Sequence, residues 1–172
     1  MIKVVAQAIP TYAMSCFDLT KTLCEEINAM ICRYWWSQQD GKNKCHWLSW
    51  EVMSKPKDEG DMGFRDLHIF NLAMLARQSW RLLQMPDSLC CTVLKAIYFP
   101  NTSILHAKPK ANMSYTWRSI LRGLKLLKHG VIWRVGSGES IDAWEDPWIP
   151  RRSTRRPPNE MEEPVSVADL MN

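Results

Sequence analysis

Apolar residues recur at helical spacing through most of this chain, and the period changes only towards its end. The longest well-punctuated segment runs from 66 to 84. Asp66 stands at an N-cap position, Ile69, Leu72, Ala73, Ala76, Trp80 and Leu83 follow at steps of three and four, and Pro86 stops the pattern. This spacing predicts a helix with that stripe on the core and with Arg77, Arg81 and Gln84 on the opposite side.

Flanking segments follow the same logic. Residues 3–17 read as a helix that Pro10 bends or breaks, with a turn at Asp18-Leu19-Thr20. A second helix carries Leu23, Ile27, Met30, Ile31 and Tyr34 on its inner face, leaves Glu25, Glu26 and Asn28 wet, and closes at Trp35-Trp36. Ser37 to Lys44 is a loop, Trp47, Leu48 and Trp50 form an aromatic knot before a short helical turn, and residues 54–60 are a turn-rich connector. Ser88 caps a shorter helix bearing Leu89, Val93, Leu94 and Ile97. Ser114 caps another, whose stripe is Trp117, Ile120, Leu121, Leu124 and Leu127, and which Gly130 stops. Its outer face holds Arg118, Arg122, Lys125 and Lys128, the cleanest cationic stripe in the chain.

From Val131 the pattern changes. Val131 to Val135, a Gly136 to Ser140 turn and Ile141 to Trp144 read as a β-hairpin, and Arg151 to Glu163 as a Pro- and charge-rich linker. Val165 to Met171 looks like the start of a further element. The expected fold is mainly α, a small helical bundle of roughly five helices followed by a β-hairpin and a disordered C-terminal tail. Three regions follow: a helical domain at 1–130, a hairpin appendage at 131–150, and a linker or the start of a next domain at 151–172.

The length of 172 residues, 46% apolar content and nine tryptophans are those of a folded domain with its own core. The six cysteines contain no Cys-x-x-Cys and come without a secretory signal, so they read as reduced intracellular thiols, with nucleus and cytoplasm not distinguished. The start, Met1 to Ala6, reads as continuing from something upstream. No apolar run is long enough to span a membrane. The net charge of +4 is unevenly spread: residues 61–130 hold ten Lys/Arg against three Asp/Glu, and 131–150 hold one against four. A local basic excess of this kind is a footprint for a phosphate backbone.

Candidate catalytic chemistry is sparse. Cys45-His46 fails metal-ligand spacing for want of a second pair, and Asp142, Glu145 and Asp146 read as solvated acids rather than a metal site. Gly136-Ser137-Gly138 is a turn, since no helix N-terminus follows to cradle phosphate. The four histidines have no catalytic context. No cofactor, metal or catalytic residue is therefore expected.

Gly60-Asp61-Met62-Gly63-Phe64-Arg65-Asp66-Leu67, with Phe70-Asn71, Gln78 and Trp80-Arg81-Leu82 after it, resembles the segment following the polymerase core in plant LINE-type (non-long-terminal-repeat) retrotransposon reverse transcriptases. The likeness extends to Ile9 to Ser15, to Trp35-Trp36, and to Trp133 to Gly136 with Trp144, Asp146 and Trp148 to Pro150. It departs from the pattern where the family has two adjacent glycines before Phe-Arg-Asp. The resemblance implies a thumb or connector between the polymerase palm and the zinc-binding and ribonuclease H regions of an RNA-directed DNA polymerase. This chain has no Asp-Asp pair to hold magnesium ions and no room after residue 150 for ribonuclease H, so it is expected to be a non-catalytic fragment. Its expected partners are the RNA or DNA backbone, held weakly and without sequence preference, and the parent's polymerase palm. Arg77, Arg81, Arg118, Arg122 and Lys125 are the expected phosphate contacts, chosen by helical spacing. Two alternatives stand beside this: an inert structural remnant of a decayed retroelement, and a protein-interaction module using the Trp-rich surface.

Overall fold

A computed structural model describes residues 2–37, 48–55, 57–59, 62–139, 141, 148–149 and 166–170. The chain divides into two compact units, Met1–Lys128 and His129–Asn172. The first unit is helical. Pro10, which lacks an N–H, separates α1 (Ile2–Ala8) from α2 (Thr11–Cys16). After the 18–20 turn, Thr20 caps α3 (Lys21–Trp36), and Ser49 caps the single turn α4 (Trp50–Met53). Asp66 caps α5 (Leu67–Gln84) as its position predicts, its Oδ1 accepting from the His68 and Ile69 N–H groups at 2.8 and 3.1 Å. Ser88 caps α6 (Leu89–Tyr98), a 3-10 turn covers Ile104–His106, and α7 spans Tyr115–Gly130.

The core of one end forms around Phe64, which Trp35 meets edge-on at 5.3 Å and Trp50 at 5.5 Å, with Met14, Cys24, Met53 and Leu67 buried beside it. Gly63, immediately before it, takes φ +61°, a conformation that costs a side-chain-bearing residue energy. The rest of the unit is tied together by polar groups. Asn71 of α5, 1% exposed, donates through Nδ2 to the Met14 and Phe17 carbonyls at 2.8 Å each and accepts from the Leu19 N–H at 2.8 Å. The carbonyls left over at the end of α2 thus find their partner on another helix. From α7, Ser119 Oγ accepts the Asp18 N–H at 2.9 Å, Tyr115 donates its hydroxyl to the Asp18 carbonyl, and Arg122 pairs with the Asp18 carboxylate. One short turn is therefore held by α5 on one side and α7 on the other.

This arrangement corrects three of the expected helix faces. On α5 the buried residues are Leu67, Asn71, Leu75, Ser79 and Leu82, while Ile69 is 67% exposed and Trp80 44% exposed. The helix is apolar around most of its circumference. The side that goes inward is the one whose two polar residues satisfy neighbouring backbone: Asn71 as above, and Ser79, whose Oγ donates to the Ile120 carbonyl at 3.0 Å. On α3, Cys24, Asn28, Ile31 and Cys32 are buried, whereas Leu23, Met30 and Tyr34 are exposed and the supposedly wet Asn28 is not. On α6, Cys91 is buried while Leu89, Val93 and Ile97 face water. Only on α7 does the expected stripe, from Trp117 through Leu124, line the core.

In the second unit the expected β-hairpin does not form: no strand occurs among the described residues, and 131–135 run without a ladder partner. The backbone groups of the turn are taken elsewhere. Gly138 at φ +79° sends its carbonyl to the Ala168 N–H at 3.2 Å, and the Ile141 carbonyl accepts from Val167 at 2.9 Å. Ile141 and Val167 are buried together, with Trp133, Val135 and Trp148 packed around them. The expected disordered tail is corrected likewise at 166–170, where a 3-10 turn over Ala168–Leu170 docks on Gly138. The expected linker at 151–163 and most of the hairpin's second arm, 142–144, lie outside the described residues. The mainly α character holds.

Candidate nucleic-acid interface

α7 is positioned by what its inner face touches. Ser114 Oγ accepts the Trp117 N–H at 3.2 Å, and the same serine exchanges hydrogen bonds with the Tyr98 hydroxyl, which is thereby held below its ordinary pKa. Trp117, fully buried, stacks on the Tyr98 ring at 4.6 Å and on Phe99 at 5.5 Å. Six residues on, Gly123 lies against α5 so closely that a Cβ built there would stand 2.3 Å from the Leu75 carbonyl carbon. With these contacts fixed, helical periodicity turns Arg118, Arg122, Lys125 and Lys128 outward, and all four are exposed.

The electrostatics favour an anion. From Ser88 to Gly138 the chain contains no Asp or Glu, a run that includes all of α6 and α7. Asp18 reaches this face and engages Arg122, leaving the guanidinium less available than its spacing implies. Arg118 has no acidic partner among the described residues. Lysines and arginines in such a row neutralise phosphates without reading bases.

Arg77 and Arg81 are also exposed, one turn apart on α5. They do not join the α7 stripe. The side of α5 that meets α7 is marked by Leu75, Ala76 and Ser79, and at roughly 100° per residue Arg77 and Arg81 lie roughly 150–170° around the helix from it. Arg118 and Lys125 lie roughly 140–160° around α7 from Gly123, which faces α5. The two cationic sets diverge, making two patches rather than one clamp.

Two features of this surface do not follow from helical spacing. Trp80, assigned to the core, stands on the outer side of α5 beside Arg77 and Arg81. And Val5, Ile9, Pro10, Ile27, Met30 and Tyr34 line an open apolar groove of about 680 Å³ between α1 and α3. Among the described residues no group of His, Cys, Asp or Glu is placed to hold a metal ion, and no helix is long and apolar enough to cross a membrane. Cys45, His46, Asp142, Glu145 and Asp146 lie outside the described residues.

Comparison with known proteins finds two Arabidopsis thaliana relatives. An uncharacterized mitochondrial protein is 41% identical over 143 residues, a match covering 83% of this chain and 93% of that protein. A protein provisionally named for ribonuclease H is 33% identical over 153 residues, covering 87% of this chain but only 24% of its own length, so the present chain spans about a quarter of it. No family profile matches the chain, and no solved structure does.

Proposed function

The chain belongs to the family of that Arabidopsis mitochondrial protein, and on this premise we propose that it is a segment of retroelement origin whose work is to hold a nucleic-acid backbone. The parent is a plant LINE-type reverse transcriptase, and the segment is the thumb or connector that follows the polymerase palm. The segment itself is not catalytic. The motif order from Ile9 to Pro150 supports this reading, as does the similarity to a longer protein named for ribonuclease H, the activity that accompanies such polymerases.

The observation that carries the binding role is the exposed α7 stripe, Arg118, Arg122 and Lys125, inside a stretch with no carboxylate of its own. Phosphates meeting this face displace their counterions, which gives affinity without sequence preference, with Kd of about 10⁻⁴ to 10⁻⁶ M near physiological salt. Arg77 and Arg81 form a second, separate patch, so each acts with the valence of a few charges rather than as part of a cleft. The test is binding to duplexes of unrelated sequence at low salt. Affinities agreeing within about twofold fit contacts made to phosphate alone, and a strong preference for one sequence contradicts them.

The α1–α3 groove favours a protein contact in addition. Its proposed occupant is the polymerase palm of the parent, because an apolar face of this size on a segment of a longer protein is a natural intramolecular seat. A palm-containing upstream fragment should co-purify with the parent chain and not with a Met30→Lys variant. Co-purification with both would remove the groove from the account.

A further inference from the structure

Trp80 is the large aromatic that α5 leaves half in water, and its neighbours are not those of a protein contact. Arg77 precedes it by three residues, Arg81 is adjacent, and Gln84 follows by four, all exposed. Residues three and four apart share a helix face, so the indole lies between cationic and amide groups on the outer side of α5. The helix contains no Asp or Glu along its 18 residues. Asp66, at its start, spends its oxygen on the cap.

Rings and cations so interleaved distinguish two forms of nucleic acid. A duplex presents phosphates but keeps its base faces inside the stack, whereas an unpaired strand offers both. Resting on the reading that this chain holds nucleic acid, we propose that the outer face of α5 is a single-strand site: one unpaired base stacks on the Trp80 indole while Arg77, one turn before it, and Arg81, one turn beyond Arg77, take successive phosphates alongside. The α7 stripe remains indifferent to strandedness, because the exposed Tyr115 at its start is already stacked on Phe17 at 5.9 Å and donates its hydroxyl to the Asp18 carbonyl. An apolar protein partner fits this face less well. Ile69, the next large exposed apolar residue on this face of the helix, lies roughly 16 Å away along the axis, and a partner covering Trp80 would have to desolvate two guanidinium groups.

The experiment uses the full chain, a fluorescent deoxythymidine oligonucleotide and a duplex of equal length, with anisotropy read at low salt. Trp80→Ala should weaken oligonucleotide binding by about fivefold to a hundredfold and leave duplex binding within about twofold. Trp80→Phe, which retains a π-face, should retain most of the affinity. Circular dichroism checks the fold, and Trp80→Leu replaces the alanine variant if that one does not fold. A folded Trp80→Leu that binds the oligonucleotide like the parent overturns the single-strand site and leaves the backbone-binding reading intact. Equal weakening on oligonucleotide and duplex also overturns it, since stacking is then not the cause. A parent chain that binds neither ligand at low salt defeats both this proposal and the reading beneath it.

Discussion

Arg122 of α7 is paired with the carboxylate of Asp18, in the turn between α2 and α3. Its charge therefore serves the fold before it serves a ligand, and spacing along α7 overstates its part in phosphate binding. Both groups are partly exposed, so the pair contributes at most about 1 kcal/mol to stability. Asp18→Asn should free the guanidinium and steepen the salt dependence of binding by up to about 0.9 log unit per tenfold salt. A slope unchanged by Asp18→Asn would show that Arg122 does not reach phosphate even when released.

Asn71 has three hydrogen bonds to backbone groups of the α2 terminus and the turn after it. Asn71→Ala leaves buried carbonyls and an N–H without partners, at about 1–3 kcal/mol each before relaxation. We expect a loss of about 3 kcal/mol or more, read as a lower urea midpoint. A change below about 1 kcal/mol would mean that water replaces the amide.

Gly123 and Gly130 are both glycines of α7 with opposite surroundings. A Cβ at 123 meets the Leu75 and Ala76 backbone at 2.3 to 2.6 Å, whereas one at 130 meets nothing within 4 Å. Gly123→Ala must push α5 and α7 apart and should cost several times what Gly130→Ala does, overpacking typically costing about 1–3 kcal/mol or more. Equal melting temperatures for the two variants would contradict the close crossing.

Cys90 and Cys91 are neighbours in sequence but not in environment. Cys91 is buried with its thiol near the Leu82 carbonyl at 3.5 Å, and Cys90 is exposed. Burial pushes the Cys91 and Cys24 thiols above their ordinary value of 9.0. Because the folded state then holds these protons more tightly than the unfolded chain, the stability they supply is complete below about pH 9 and lost as pH rises above it. In native protein near pH 8, peptide mapping after brief alkylation should find Cys90 modified well ahead of Cys91 and Cys24. Equal labelling would show that α6 opens readily.

Much of this fold is legible in the chain because capping is a local event. Asp66, Ser88 and Ser114 announce their helices, and the strongly amphipathic α7 announces its inner face. Orientation is less legible where a helix is apolar on two sides. On α5 the periodic stripe through Ile69 and Trp80 is real but faces out, and what decides the matter is Asn71 finding Met14 and Phe17, partners more than fifty residues away. No local pattern encodes that. The second unit fails for a related reason: a glycine turn promises a hairpin only if its arms pair, and here the carbonyls of Gly138 and Ile141 are claimed by residues 167–168. Of the site, the α7 stripe was readable by spacing, whereas the engagement of Arg122 by Asp18, 104 residues earlier, and the exposure of Trp80 were not.

The central claim, that α7 holds a nucleic-acid backbone through its outer cations, is tested most directly by the salt dependence of duplex binding in the parent and in Arg118→Ala/Lys125→Ala. Each phosphate neutralised contributes about 0.9 log unit of affinity per tenfold change in salt, so the double variant should lose about 1.8 from the slope and keep its melting temperature. A double variant that binds with the parent's slope and affinity, or a parent with no measurable binding at low salt, would make the stripe an ordinary solvated helix face and contradict the account.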